Sequence, residues 1–193
     1  MIIGITGGTG SGKTTLLHEL KKLGALVLDC DAIYHQLLVS DPALLADIEA
    51  RFPGTVRDGV LHRKQLGAIV FSDPHALQDL NRITHTAIHA EVLRQLESKP
   101  DLAAIDAIGL FESGLDALCD ITVAVTAPED ARVRRLVERD RISPEYAQSR
   151  ITAQHNDDWF QQKCGYVLEN NIDQPAFQTK CLAFLTELGI MKA

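Results

Sequence analysis

The residues Gly7-Gly8-Thr9-Gly10-Ser11-Gly12-Lys13-Thr14 match G-x-x-x-x-G-K-[ST], a spacing whose chemistry is phosphate binding. Glycines at 7, 8, 10 and 12 let the backbone turn through positive φ and aim successive N–H groups inward, toward an anion that a following helix N-terminus also attracts. Lys13 adds a point charge able to reach β- and γ-phosphates, and the Thr14 hydroxyl is placed to ligate Mg²⁺. The elements that must position this loop are legible on either side of it. Ile2-Ile3-Gly4-Ile5-Thr6 is short, apolar and β-branched, as a buried strand is, and the stretch from Thr15 carries Leu16, Leu17, Leu20 and Leu23 at helical spacing. The bland alternative is a flexible glycine turn before an ordinary helix. The agreement of motif, preceding strand and following helix argues against it.

Two further groups of residues invite chemistry. Ala25-Leu26-Val27-Leu28 reads as a buried strand ending in Asp29-Cys30-Asp31. The carboxyl ends of strands in an open parallel sheet face the ligand crevice, so Asp29 and Asp31 are expected on the side of the phosphate loop. Either could instead cap the helix that begins near Ala32. The expectation is capping for one and chemistry for the other, with Asp31 favoured for chemistry. A helix opening at Pro128-Glu129 carries Arg132, Arg134, Arg135, Arg139 and Arg141. It is either a cation source for a triphosphate or a solvated face balanced by Glu129, Glu138 and Asp140. His85 and His89 stand at i and i+4 and could ligate a metal, but without a third ligand in view they read better as packing or substrate contacts.

The bounds are ordinary. A chain of 193 residues suits one well-buried α/β domain, and no apolar run approaches a membrane span. A net charge of −7 disfavours a general nucleic-acid surface. The cysteines at 30, 119, 164 and 181 form no C-x-x-C pair, and no secretory signal precedes the motif, so reduced thiols, neither disulfide nor zinc, and a cytoplasmic protein are expected. Residues 42–52, 63–71 and 74–98 read as helices separated by Pro53-Gly54 and Asp58-Gly59 turns, with no strand among them. So long a helical excursion suggests an inserted substrate-binding subregion. Strand character returns at 102–108 and 121–125, the stretch 143–163 reads as a polar lid with few core positions, 166–168 as a last strand, and 175–188 as a closing amphipathic helix.

Taken together the chain resembles the dephospho-coenzyme A kinases of the P-loop kinase superfamily. The resemblance rests on the loop at 6–15, Val27-Leu28-Asp29-Cys30-Asp31, Asp58-Gly59-Val60-Leu61-His62-Arg63, Ile69-Val70-Phe71, Leu80-Asn81-Arg82-Ile83-Thr84-His85, Leu110-Phe111-Glu112, Pro128-Glu129 with Arg139-Asp140, Arg150-Ile151 with Gln154, and Val167-Leu168-Glu169-Asn170-Asn171. It departs from the family where Thr86 replaces the proline of a turn after the histidine, Cys30 an alanine, His35 an arginine, and Ile108-Gly109 a Pro-Leu pair.

The resemblance implies a three-layer α/β P-loop kinase fold with a five-stranded parallel sheet: a core at about 1–31, 101–138 and 164–193, a helical acceptor-binding insertion at about 32–100, and a lid at about 139–163. It implies ATP-dependent phosphorylation of the 3′-hydroxyl of dephospho-CoA, with ATP and Mg²⁺ required and no nucleic acid or membrane partner. Gly8, Thr9, Gly10, Ser11, Gly12, Lys13, Thr14 and Thr15 would bind ATP, with Asn171 near the adenine and Thr14 on the metal. Asp31, Lys13 and Arg139 would be catalytic, and Asp29, Asp31, Arg82 and His85 would face the acceptor. The rivals are another small-molecule or nucleoside-monophosphate kinase, and a nucleotide-binding regulatory switch.

Overall fold

The chain opens with β1 (Ile2–Thr6), α1 (Lys13–Lys22) and β2 (Leu26–Asp29). A helical stretch follows: α2 (Cys30–Ser40), α3 (Pro42–Arg51), β3 (Val56–Arg57), β4 (Val60–Leu61), α4 (Arg63–Val70) and α5 (Pro74–Leu96). The remainder is β5 (Ala103–Asp106), a 3₁₀ turn at Leu115–Leu118, β6 (Ile121–Thr126), α6 (Glu129–Asp140), α7 (Pro144–Thr152), α8 (Asp157–Lys163), β7 (Tyr166–Glu169) and α9 (Gln174–Glu187). This is a computed structural model, and it describes residues 1–191. Two compact units result, one from Met1–Leu28 and the chain from Pro100 onward, the other from Asp29–Lys99.

The first unit holds a five-stranded sheet in the order β2-β5-β1-β6-β7. β1 pairs in parallel with β5, Ile2 opposite Ala103, and with β6, Ile3 opposite Ile121; β6 pairs in parallel with β7. The chain therefore builds outward on one side of β1 through β5 and β2, then reverses to the other through β6 and β7. That reversal makes the carboxyl end of β1 the topological switch point, where open parallel sheets bind ligands. Ile3 and Ile5 pack with Val123, Val125 and Leu168 of the sheet, Leu16, Leu17 and Leu20 of α1, and Phe177, Cys181, Phe184 and Leu185 of α9. Full burial of each such aliphatic or aromatic side chain stabilises by about 1.5–3 kcal/mol, so this layer holds α1, and the loop before it, against the sheet. The polar stretch after α6 carries more core than its composition suggests: Ala147 and Ile151 of α7 are buried with Leu136 of α6, and Phe160 of α8 is buried as well. No helix among the described residues is long and apolar enough to cross a membrane.

In the second unit α2, α3 and α4 all pack on α5, which buries Ala76, Thr84, Ile88 and Val92. The helices fall where periodicity places them, but the expectation of no strand between them is wrong. Val56–Arg57 and Val60–Leu61 pair antiparallel about Asp58-Gly59, whose φ values of 51° and 73° are both positive, as a tight I′ hairpin turn requires. Glu49 of α3 fixes the entry to the hairpin by accepting from Gly54 N at 2.6 Å and Val56 N at 2.7 Å. Such short strands have no periodicity to read; the Asp-Gly pair was their only signature. Where the chain departs from the family pattern after His85, α5 is continuous, as its helical spacing predicts. Thr86 keeps the backbone N–H that proline lacks, and α5 runs through the position with Thr86 Oγ1 donating to Arg82 O at 2.9 Å.

The hairpin is testable in isolation. A Cβ at Gly59 would meet nothing within 4 Å, so Gly59→Ala confronts only the backbone penalty for a left-handed residue. A loss of about 1–2 kcal/mol is expected, read as a lower urea midpoint. An unchanged midpoint would show that the turn does not hold this conformation.

Candidate active site

The phosphate loop leaves β1 at Thr6, whose hydroxyl donates to Ile108 O at 3.0 Å, and enters α1 at Gly12. Within it Ser11 N donates to Gly8 O at 3.2 Å, and Lys13 folds back so that Nζ donates to Gly7 O at 2.8 Å. The helix it opens, like α4 and α6, has no side-chain cap. α2, α3, α5, α7, α8 and α9 each begin with an Asp, Ser or Asn side chain accepting from a first-turn N–H, whereas α1 begins at left-handed Gly12 with no side-chain cap and no acidic residue in its first turn. Its terminal N–H groups and the positive end of its dipole are left for an anion.

The outward side of the loop is gripped by four side chains from elsewhere in the same unit. Arg132, only 4% exposed, lies under it with Nε donating to Thr9 O at 2.9 Å. Arg135, one turn further along α6, donates from Nη1 to Gly10 O and Ser11 O, each at 3.1 Å, and from Nη2 to Asn170 O at 3.4 Å. Asn170, 5% exposed at the end of β7, donates from Nδ2 to Ser11 O at 2.8 Å, while its own N–H bonds to Thr126 O. Gln154, between α7 and α8, accepts from Thr9 N at 2.8 Å. Burial pulls both arginines below the usual arginine value, although neither has reason to lose its charge. The glycines are explained by this packing as well as by φ. A Cβ on Gly8 would come within 2.6 Å of Arg132 Cζ, and Gly12, at φ 102°, has Asn170 Nδ2 where its Cβ would stand.

The other sequence-flagged residues fall differently. Asp29 accepts from Ala32 N at 3.0 Å and is the N-cap of α2, which leaves the exposed Asp31 in the first helical turn free of the capping role. Arg82 reaches Asp79 at 3.0 Å, beside the Arg51–Asp79 pair at 2.6 Å, and lines an open groove of about 700 Å³ between α3 and α5. His85 is not among that groove's lining residues. Arg139 bonds Asp140 through Nε at 2.6 Å and Nη2 at 3.0 Å, and Arg150 of α7 reaches the same carboxylate at 2.7 Å. Arg139 and then Arg150 hold the Asp140 carboxyl down to about 2. Arg134 stands in a solvated pair with Asp130, and Asn171 is exposed. Arg132 is one of five arginines flagged from sequence and Asn170 belongs to the Asn170-Asn171 stretch that the resemblance puts near the adenine, but the sequence does not assign either to bracing the loop. The one available signal was the i, i+3 spacing of Arg132 and Arg135, which puts both on one face of α6.

Among the described residues no group of three or more His, Cys, Asp or Glu could hold a metal ion. The donor set at the loop, one Thr14 hydroxyl at the start of α1, fits a cation that takes most of its ligands from phosphate oxygens and water, the habit of Mg²⁺.

A sequence model of the dephospho-CoA kinase family, CoaE, matches residues 1–175. The dephospho-CoA kinase of Moorella thermoacetica is 40% identical over 160 residues, covering 79% of this chain and 76% of that protein. Among solved structures, TT1252 from Thermus thermophilus superposes with a TM-score of 0.83 at 33% identity, covering 97% of each chain. The dephospho-CoA kinase from Campylobacter jejuni gives 0.70 at 25% identity over 98% of each.

The loop's dependence on Asn170 separates it from its neighbour. Asn170→Ala removes one of the two donors to Ser11 O, leaving Arg135, and should cost about 0.5–1.5 kcal/mol of stability in urea unfolding, whereas Asn171→Ala at an exposed position should stay below that, within about 0.5 kcal/mol. Equal effects would contradict the bracing role.

Proposed function

The chain belongs to the dephospho-CoA kinase family, and from that premise we propose how its own residues share the transfer of a phosphoryl group from ATP to the 3′-hydroxyl of dephospho-CoA. The observation that carries the assignment of roles is the uncapped start of α1 behind a braced glycine loop. Apart from Thr9 N, which donates to Gln154, and Ser11 N, which donates to Gly8 O, the N–H groups from Gly8 to Thr14 receive the ATP phosphates, and Lys13 Nζ exchanges Gly7 O for a phosphate oxygen. Thr14 would hold Mg²⁺, whose chemistry when bound is to neutralise part of the phosphate charge. Phosphoryl transfer asks the protein mainly for positioning and electrostatic stabilisation, and that is what this arrangement supplies.

Asp31 is the residue we assign to the acceptor hydroxyl, to orient it and accept its proton. Asp29 is committed to its cap, and Asp31 in the same turn keeps a solvent-facing carboxylate. Arg139, tied to Arg150 through Asp140, offsets charge on the transferring group from the end of α6, and the stretch at 139–163 acts as the lid. Asn171 follows the braced Asn170 and is assigned to the adenine. Arg82 and His85, three residues apart on α5, are assigned to the acceptor.

ADP release measured with dephospho-CoA against a panel of nucleoside monophosphates tests the activity: turnover is expected with dephospho-CoA alone, and comparable release with another acceptor would replace this reading. The acidic pair tests the division of roles. Asn still caps a helix, so Asp29→Asn and Asp31→Asn should each change stability by less than about 1 kcal/mol. Asp31→Asn should nonetheless lower turnover by roughly a hundredfold, the low end of general-base assistance, with Asp29→Asn milder. The reverse order would exchange their roles.

A further inference from the structure

Thr9 lies at the outer corner of the phosphate loop, and both ends of its backbone are held by residues outside the loop. Its N–H goes to Gln154 Oε1 at 2.8 Å and its C=O to Arg132 Nε at 2.9 Å. Arg132 is packed under two further loop positions. Its guanidinium fills the space of a Gly8 side chain, and its backbone carbonyl would stand 2.9 Å from a Cβ on Gly10. From this buried place Nη1 reaches Asp157 Oδ1, the first residue of α8, at 3.4 Å. Gln154 and Asp157 flank the connection between α7 and α8, and with Arg132 and Glu129 they line one cavity of about 400 Å³. The segment read as the lid is thus joined to the phosphate loop twice at one residue, directly from Gln154 to Thr9 N and from Asp157 through Arg132 to Thr9 O.

We propose that Arg132 is a positioning residue for the nucleotide site: it sets the Thr9 peptide and, through Asp157, makes the loop and the lid segment a single coupled unit whose lid end responds when phosphate fills the loop. This deepens the ATP-dependent reading above and rests on it. Three features support the coupling. The charge of Arg132 is out of water, so its ion pair with half-buried Asp157 is screened far less than a surface pair. Burial raises the Asp157 carboxyl while it lowers the Arg132 guanidinium, so each is costly to bury unless the other is near. Finally, Arg132 Nη2 and Ser11 Oγ are buried without hydrogen-bond partners, so the brace and the loop share groups that this arrangement leaves unsatisfied, as expected where a site is shaped for a ligand.

The lid end carries its own reporter. Trp159, the chain's one tryptophan, sits in α8 two residues beyond Asp157. Its ring stacks on His155 at 3.8 Å and meets Phe111 and Phe160 edge-on at 5.7 and 5.1 Å. Glu112 Oε1 lies 2.9 Å from His155 Nε2, so the emission measurements are all made at one fixed pH.

The test follows ATP binding by calorimetry and by Trp159 emission, alongside steady-state kinetics, in the full chain and in Arg132→Met, Arg132→Lys, Asp157→Asn and Gln154→Ala. Loss of a hydrogen bond from a charged donor should weaken ATP binding by about 10- to 100-fold in Arg132→Met, with the KM for dephospho-CoA little changed. Arg132→Lys, which cannot make the forked contact, should recover only part of this. Asp157→Asn should leave ATP affinity nearer the parent value but abolish most of the ATP-induced change in Trp159 emission. A merely structural Arg132 would lower kcat through a smaller active fraction and leave ATP affinity and the emission change of the folded fraction alone, which would overturn the proposal. Should Arg132→Met fail to fold, Asp157→Asn and Gln154→Ala decide it: a parental emission change in both overturns it. Absence of ATP binding by the parent chain would instead defeat the kinase reading itself, and this inference with it.

Discussion

A chain that points several backbone N–H groups into one small space must hold those dipoles in place, away from the hydrogen bonds they would otherwise make. The phosphate loop meets this constraint by having its outward carbonyls claimed. Thr9 O goes to Arg132, Gly10 O and Ser11 O to Arg135, and Ser11 O also to Asn170. With the Thr9 and Ser11 carbonyls turned outward, the N–H groups of the same two peptides, at Gly10 and Gly12, turn the other way, while Thr9 N goes to Gln154. The glycines answer the same need, since a side chain on Gly8 or Gly12 would occupy the space of the groups that hold the loop.

The rest of the first unit supplies those holders. β1 is central and the sheet reverses direction at it, so the loop leaves from the middle of the carboxyl edge, between β5 and β6. α6 follows β6 and Asn170 follows β7, which brings their polar groups to that same edge. Leu136 fixes the rotation of α6: buried with Ala147 and Ile151, it turns Arg132 and Arg135 toward the loop and leaves Arg134 in solvent. Placing two guanidinium groups in such surroundings is unfavourable in itself. It is offset because each makes charge-assisted bonds to carbonyls, which are stronger than neutral ones, and because the ligand the loop accepts is highly negative.

In the second unit the chemistry is held more loosely. Asp29 ends a strand and caps a helix with one carboxylate, and that double commitment is what distinguishes it from Asp31 in the next turn. Thr86 in place of proline keeps α5 continuous, so the position where the family departs is a helix interior and not a bend.

By itself the sequence determined the phosphate loop, the buried parallel strands around it, the helix registers, and the kinase family, because each depends on local spacing: a glycine pattern, a run of β-branched residues, leucines at three and four. It also narrowed the acidic pair to one cap and one free carboxylate. What it left open depends on contacts between distant residues. Five arginines in one stretch look alike along the chain; only the packing of Leu136 against α7 decides that Arg132 and Arg135 go under the loop while Arg139 goes to Asp140. Asn170 and Asn171 are adjacent and identical, and the alternation of a strand end buries one and exposes the other. The hairpin at Asp58-Gly59 was hidden because two-residue strands carry no period, and its pairing is decided by a turn and by Glu49, a partner on another element.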